Sequence, residues 1–251
     1  MKLQNLFRRV LSLVLCLVTV LSFASVMITP ARAYASPSKG TINVTAKPAY
    51  NINLDGAPLI GRIASFHIGH DYIYVTVRDG ANTRIYKLII SGNTAYYKLG
   101  TRVAEQMTLL GGGICETLDM YNYNGKAYFL IGAKAKNDVY TWYPNTQIAR
   151  MEFQAGATIS YESLKRLIYM NYAASYYDKT EKKVVSAKDG DTLRVAAAVC
   201  GEKTIVRVHM KPTSGEDVVR FAVYDTKLLN QALDASTTAG LKLNSEAATK
   251  A

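Results

Sequence analysis

Short apolar and aromatic runs, each cut by turn residues, recur along the chain from position 62 onward. Tyr72–Arg78 is β-branched or aromatic almost throughout, which favours a strand. It lies between Arg62–Ile68 and Arg84–Ile90, and Ala95–Leu99 follows; Asp79-Gly80 and Ser91-Gly92-Asn93 supply turns. A second group runs from Gly111 to Phe153. Leu118, Met120 and Tyr121 open it, Asn124-Gly125 turns the chain, and Tyr128–Ile131 returns it. An Asn-Gly pair between such runs is the strongest short-range hairpin signal. Gln147–Phe153 alternates Ile148, Arg150 and Glu152 against Ala149, Met151 and Phe153, so one face is expected to be buried. A third group holds Leu164–Tyr172, then Leu193–Val199 after an Asp189-Gly190 turn, Thr204–Met210 and Val218–Tyr224. Helix is expected once, at Asp225–Asp234, where Leu228, Leu229 and Leu233 recur at helical spacing behind an Asp or Thr cap.

The opening strands, at Ser65-Phe66, Thr117-Leu118 and Leu167-Ile168, are evenly spaced. A repeat of about 50 residues, each of about four short strands, is the pattern of propeller blades. The expected fold is therefore all-β: a propeller-like array of about three four-stranded blades over residues 61–234, with one short C-terminal helix. A β-sandwich with coincidental spacing is the alternative. Closed propellers have four or more blades. Three imply a short or truncated form, a blade completed by strands from both ends, or self-association that covers open sheet edges. Residues 34–60 read as a polar leader arm with one short strand at Thr41–Thr45, and residues 235–251 as a polar tail.

The first 33 residues change the picture of location. Lys2, Arg8 and Arg9 precede an apolar run from Val10 to Ile28, and Ala31-Arg32-Ala33 offers a cleavage site, with Ala33-Tyr34-Ala35 as a second. This is the layout of a secretory signal; an uncleaved anchor is the alternative, since the run is near spanning length. Leu15 before Cys16 does not fit a lipobox. The expectation is a secreted, extracellular protein that is not an integral membrane protein after cleavage. Cleavage removes four of 30 basic residues and no acid, leaving 26 bases against 19 acids, a net charge of +7. That charge favours anionic surfaces such as wall polymers or anionic lipid, and is too dispersed to indicate nucleic acid. Cys115 and Cys200 remain, both within apolar runs, and two buried thiols are expected rather than a bridge. His67, His70 and His209 lack partners at metal-ligand spacing, so no metal or cofactor is expected.

Catalytic patterns are weak, and no enzyme is expected. His67-Ile-Gly-His70 spells a nucleotide-binding signature, yet it lies between two strands rather than at a strand-to-helix turn. Gly111-Gly112-Gly113 lacks the lysine and helix of a phosphate loop and reads as a tight turn or bulge. Glu116 and Asp119 are the one carboxylate pair of interest for glycoside hydrolysis, but a three-residue offset in a strand puts them on opposite faces. Aromatics are plentiful, among them Tyr72, Tyr74, Tyr96, Tyr97, Tyr140, Tyr176 and Tyr177. Rings on the loops of a β scaffold stack on sugars and hydrogen-bond through their hydroxyls. The candidate binding residues are Trp142 and Tyr143, whose loop Pro144 marks, with Tyr121 and Tyr123 and the polar Asn122, Asn124 and Asp138.

The stretch from Gly111 to Phe153 resembles the helveticin J family of class III bacteriocins, secreted antibacterial proteins. That family's block usually reads Gly-His-x-Gln-Thr-Leu-Glu, then Gly-Lys-x-Tyr-Phe, then Trp and Thr-Gln-x-x-Arg. Gly113, Thr117, Leu118, Gly125-Lys126, Tyr128-Phe129, Trp142, Thr146-Gln147 and Arg150 match it. Ile114 stands where the family has His, Glu116 where it has Gln, and Asp119 where it has Glu, so a role resting on that His cannot operate here. Residues 164–173 and 221–234 are similar to later family segments, so the likeness spans most of residues 60–234. It implies a secreted antibacterial protein that binds the envelope of competing bacteria through wall carbohydrate or an anionic polymer. The alternatives are a non-toxic lectin-like propeller and a cell-wall glycoside hydrolase.

Overall fold

A computed structural model describes residues 47–58, 61–136, 142–237 and 240–251; the leader, the strand expected at Thr41–Thr45, Asp138 and Tyr140 lie outside them. The unit Pro48–Ala251 is mostly β. In the first sheet, β1 (Ile63–Ile68), β2 (Tyr72–Asp79) and β3 (Asn82–Ser91) pair antiparallel in chain order. The far edge of β3 carries β4 (Glu105–Leu110) along Thr83–Lys87 and the short strand Thr94–Tyr96 along Ile89–Ser91. Asn51–Asn53 adds in parallel to Thr94–Tyr96, and Thr158–Ser160 in parallel to β4.

The second sheet orders β5 (Leu118–Tyr123), β6 (Lys126–Ala135), β7 (Asn145–Met151) and β8 (Lys165–Ile168), again antiparallel neighbours in sequence, with Leu241–Lys242 parallel to β8. Asn124 at φ 50° and Gly125 at φ 76° make the expected two-residue turn between β5 and β6. The third sheet is the meander β9 (Asp191–Cys200), β10 (Lys203–Lys211) and β11 (Val218–Asp225).

The cores show how the sheets stack. Ile85, Met107 and Leu109 of the first sheet pack against Leu118, Phe129, Ile131, Ala149 and Met151 of the second. The opposite face of the second sheet presents Tyr121, Leu130, Ile148 and Leu167 to Val195, Val206, Val208 and Met210 of the third. The second sheet is thus buried on both faces, which is why Phe129–Ala133 carries no polar alternation. The outer face of the first sheet has its own core of Ile73, Val75, Val77, Tyr86 and Leu88.

Several boundaries depart from the sequence reading. β4 was not anticipated, although Met107 and Leu109 alternate with Gln106 and Thr108. The expected strand Leu164–Tyr172 ends at Ile168; Tyr169 turns left-handed at φ 57° and a short 3₁₀ turn, Met170–Tyr172, follows. β8 belongs to the second sheet, between β7 and Leu241–Lys242, and the third sheet opens at Asp191, so the even spacing at Leu167-Ile168 does not mark a third unit. The leader arm reaches into the fold, with Leu54 and Ala57 packed on the first sheet. The tail is likewise structured: Leu241, Leu243 and Ala248 are buried, and a short helix α2 (Glu246–Lys250) closes it. Helix α1 (Thr226–Ala235) forms where expected, with the Asp225 carboxylate accepting from Leu228 N at 3.0 Å.

Candidate functional site

The motif segment Gly113–Asp119 joins all three sheets. Gly113 lies at φ 67°, and a Cβ there would come within 2.3 Å of the Tyr143 carbonyl, so only glycine fits. Its carbonyl accepts from Thr83 Oγ1 at 2.8 Å and its N–H donates to Ala81 O at 2.8 Å, fastening it to the turn before β3. The Cys115 carbonyl accepts from Thr76 Oγ1 at 2.9 Å and Ser65 Oγ at 2.8 Å, both in the first sheet. From the other side, Thr117 Oγ1 accepts from Ala197 N at 3.0 Å and Asp119 Oδ2 from Val199 N at 2.6 Å. Both are edge N–H groups of β9, which would otherwise lack strand partners. The Glu116 carboxylate takes both arms of the Arg194 guanidinium on the same strand. Glu116 precedes β5, so it and Asp119 both reach β9; the opposite-face expectation for the pair does not hold. Leu118 is buried between the first and second sheets.

Arg150 and its partners form a second knot. Its buried guanidinium donates to Asn230 Oδ1 at 2.9 Å and pairs with Asp234, both on α1. Tyr121 is buried and donates to Asn230 Oδ1 at 2.8 Å, while Tyr123 donates to Asp234 Oδ2 at 2.9 Å. These two tyrosines therefore serve helix docking. Burial pushes the Tyr121 hydroxyl up to about 12. Partial burial works against ionisation of Asp234, but the hydrogen bonds from Arg150 and Tyr123 outweigh it and hold the carboxyl below the usual range. Gln147 is buried and accepts from Arg166 Nε at 2.9 Å. Asn122 and Asn124 are exposed and, together with Tyr123, line a separate cleft of about 390 Å³ with Gly201, Glu202 and Thr226.

Of the candidate binding aromatics, Trp142 is the one that stands at the surface, 51% exposed. It forms a wall shared by two clefts. One, of about 460 Å³, is lined by Ile114, Glu116, Lys136, Pro144, Leu193, Arg194 and His209 besides Trp142. The other, of about 350 Å³, adds Gly61, Arg62 and Arg78 to Ile114 and Trp142. Tyr143 supports this loop, at φ 53°, with its carbonyl accepting from Ile114 N at 2.9 Å and its ring 6.0 Å from the Arg78 guanidinium. Ile114, the position where the resembled family has His, thus stands in both clefts. Arg62, Arg78 and Lys136 make the surroundings cationic, whereas Arg194 is paired with Glu116 on the same wall and His209 is bonded to Asp217 at 3.0 Å. Arg194, Leu193 and His209 come from the third sheet, which sequence reasoning did not connect with Trp142; only long-range pairing brings them together.

Neither cysteine is in a disulfide; Cys115 is buried as expected, whereas Cys200 is exposed at the end of β9. Burial raises the Cys115 thiol to about 12. Among the described residues no three His, Cys, Asp or Glu side chains converge to hold a metal. Among them, too, no helix is long and apolar enough to cross a membrane. No curated protein matches the chain. A family model described as bacteriocin helveticin-J matches residues 51–250, which include the clamp onto β9, the Arg150 knot and the Trp142 clefts. The chain belongs to the helveticin-J bacteriocin family.

Proposed function

We propose that this protein is exported and acts against competing bacteria by engaging their envelope, with the Trp142 clefts as the contact surface. The observation that carries the reading is a half-exposed tryptophan between two clefts that also present Arg62, Arg78 and Lys136. An aromatic face takes the apolar side of a sugar ring, and neighbouring cations take anionic groups of wall polymers. Family membership supports the antibacterial role, and the segment 1–33 supports export. On this reading the chemistry is binding rather than hydrolysis, because Glu116 and Asp119 are committed to β9. The three stacked meanders are read as blades of an open propeller whose innermost strands include β5 and β9.

The test is loss of viability of related Gram-positive cells exposed to purified residues 34–251, with Trp142→Ala alongside. Killing that the substitution weakens supports the reading. Absence of killing across a broad panel by folded protein overturns it. Retained binding to soluble wall sugars would then leave the lectin-like alternative, and release of wall fragments that vanishes with Glu116→Gln would leave a hydrolase.

A further inference from the structure

Beside the Trp142 clefts, and sharing Lys136 with the larger of them, lies a third cleft of about 520 Å³. Lys134, Lys136, Thr146, Asn171 and Tyr169 face it, with Asp191 as the carboxylate on its lining. Arg166 also lines it, but its guanidinium is held by Gln147 and by the carbonyls of Tyr161 and Glu162. Lys136 Nζ donates to the Thr192 carbonyl at 3.2 Å and keeps its charge and two further N–H donors. The balance of charge in the cleft is positive.

Backbone strain points to the same place. Among the described residues five non-glycine positions have positive φ: Asn124, Lys134, Tyr143, Tyr169 and Lys182. Asn124 is in the β5–β6 hairpin turn, and Lys182 precedes the returning strand of the hairpin Tyr176–Asp178/Lys183–Val185. Lys134 at φ 56° and Tyr169 at φ 57° line the third cleft, and Tyr143 at φ 53° sits between Trp142 and Pro144 of the larger Trp142 cleft. A bulky side chain in this region is strained, and such residues gather at ligand sites. Tyr169 is 49% exposed, so burial does not repay the strain. Its ring instead stands at the cleft mouth, 6.0 Å from that of Tyr172, with Lys242 Nζ 5.3 Å from its centroid.

We propose that the two clefts form one elongated site for a linear polymer of phosphodiester-linked polyols or sugars. Trp142 and Tyr169 are the stacking platforms at its ends, and Lys134 and Lys136 bind phosphate between them. The alternation of aromatic, cation, aromatic and cation (Trp142, Lys136 and Lys134, Tyr169, Lys242) matches a polymer that alternates a ring or polyol with an anion. Asp191, Asn171 and Thr146 supply hydrogen-bonding partners for polyol hydroxyls. This rests on the envelope-binding reading and narrows it to one class of ligand.

The probe is purified poly(glycerol phosphate), titrated into the intact chain and followed by calorimetry, with polyphosphate and dextran as controls. The discriminating variant is Tyr169→Gly, since glycine adopts φ 57° without strain. Removing the platform is expected to weaken polymer binding about tenfold, the size of one lost stacking contact, while the melting temperature holds or rises. Lys134→Gly is expected to behave alike. Unchanged affinity in Tyr169→Gly overturns the proposal, as does polyphosphate binding as tightly as the polyol polymer. Because no cells are involved, a chain that binds polymer but does not kill overturns only the antibacterial reading. A chain that kills without binding polymer overturns only this one. Polymer still attached to wall fragments and polymer carried on a lipid anchor are compared in sedimentation, which tells the two cellular sources apart.

Discussion

Arg150 is a motif residue, and the structure gives it an architectural task that can be weighed. Its side chain is 7% exposed. The guanidinium donates to Asn230 Oδ1 at 2.9 Å and lies 4.8 Å and 5.5 Å from the ring centroids of Tyr128 and Tyr123. A hydrogen bond from a charged donor contributes about 1.5–3 kcal/mol, and each ring face about 0.5–1 kcal/mol. The Asp234 pair adds less than about 1 kcal/mol, because that carboxylate is 44% exposed and screened. Dehydrating a guanidinium costs several kcal/mol and cancels much of this gain. Arg150→Ala removes the charge and its dehydration cost together, but leaves a void beneath α1 and Asp234 without its partner. The expected loss is about 2–4 kcal/mol. Arg150→Met fills the void without a charge and should lose less than about 1.5 kcal/mol. Urea unfolding followed by far-ultraviolet circular dichroism measures both, with an unchanged m-value as the sign that the denatured state is not altered. A loss below about 1 kcal/mol in Arg150→Ala would refute the docking account. A folded Arg150→Met that no longer kills would move Arg150 from the scaffold to the binding surface.

Three further outcomes are expected. Asp234 has its carboxyl lowered in the folded state, so its contribution is present above the unfolded carboxylate range, near pH 4, and is lost as pH falls through the folded value. Asp234→Asn should flatten the stability profile on that acid side and leave it unaltered near neutrality apart from a constant offset. Cys200 is exposed and Cys115 is buried with its thiol at about 12, its Sγ–H donated to Thr117 O at 2.9 Å. Mass spectrometry of purified residues 34–251, which lack Cys16, should find one iodoacetamide adduct on the native protein and a second only after unfolding. Gly113→Ala sets a Cβ 2.3 Å from a backbone carbonyl at φ 67°, and should lower stability by about 2 kcal/mol or more, read as a drop in melting temperature.

Much of the strand content could be read from residue type. Tyr72–Arg78 and Thr204–Met210 became β2 and β10 because β-branched and aromatic runs admit little else, and Asn124-Gly125 fixed its hairpin through backbone sterics. Errors arose where tertiary context decided. Leu164–Tyr172 is apolar throughout, yet the chain leaves the sheet at Tyr169 in a conformation that sequence does not advertise for tyrosine. Residues 235–251 look like a solvated tail by composition, yet Leu241 and Leu243 find a place beside β8 and Ala248 is fully buried. A composition average hides two leucines at the right spacing.

The site was legible only in part, because motif and function occupy different layers of the same segment. Thr117 and Asp119, two hydroxyl or carboxylate side chains at i and i+2, look like candidate chemistry in a one-dimensional reading. In three dimensions that spacing equals the spacing of outward N–H groups on an edge strand, and they cap β9 through Ala197 and Val199. Arg150 and Tyr121 likewise look like ligand-binding types and instead fasten α1. What the clamp achieves is placement. By bolting β9 against β5 it brings Leu193, Arg194 and His209 within reach of Trp142, a loop residue far earlier in the chain, and so makes the larger cleft. The departure at Ile114 falls on the wall of that cleft rather than in the clamp. Ile114 stands on the lining of both Trp142 clefts, whereas Thr117 and Leu118 hold the sheets. Matching and departing residues therefore do not divide cleanly between the two layers: the matching Thr117, Leu118 and Arg150 and the departing Glu116 and Asp119 hold the scaffold, while the matching Trp142 and the departing Ile114 line the clefts.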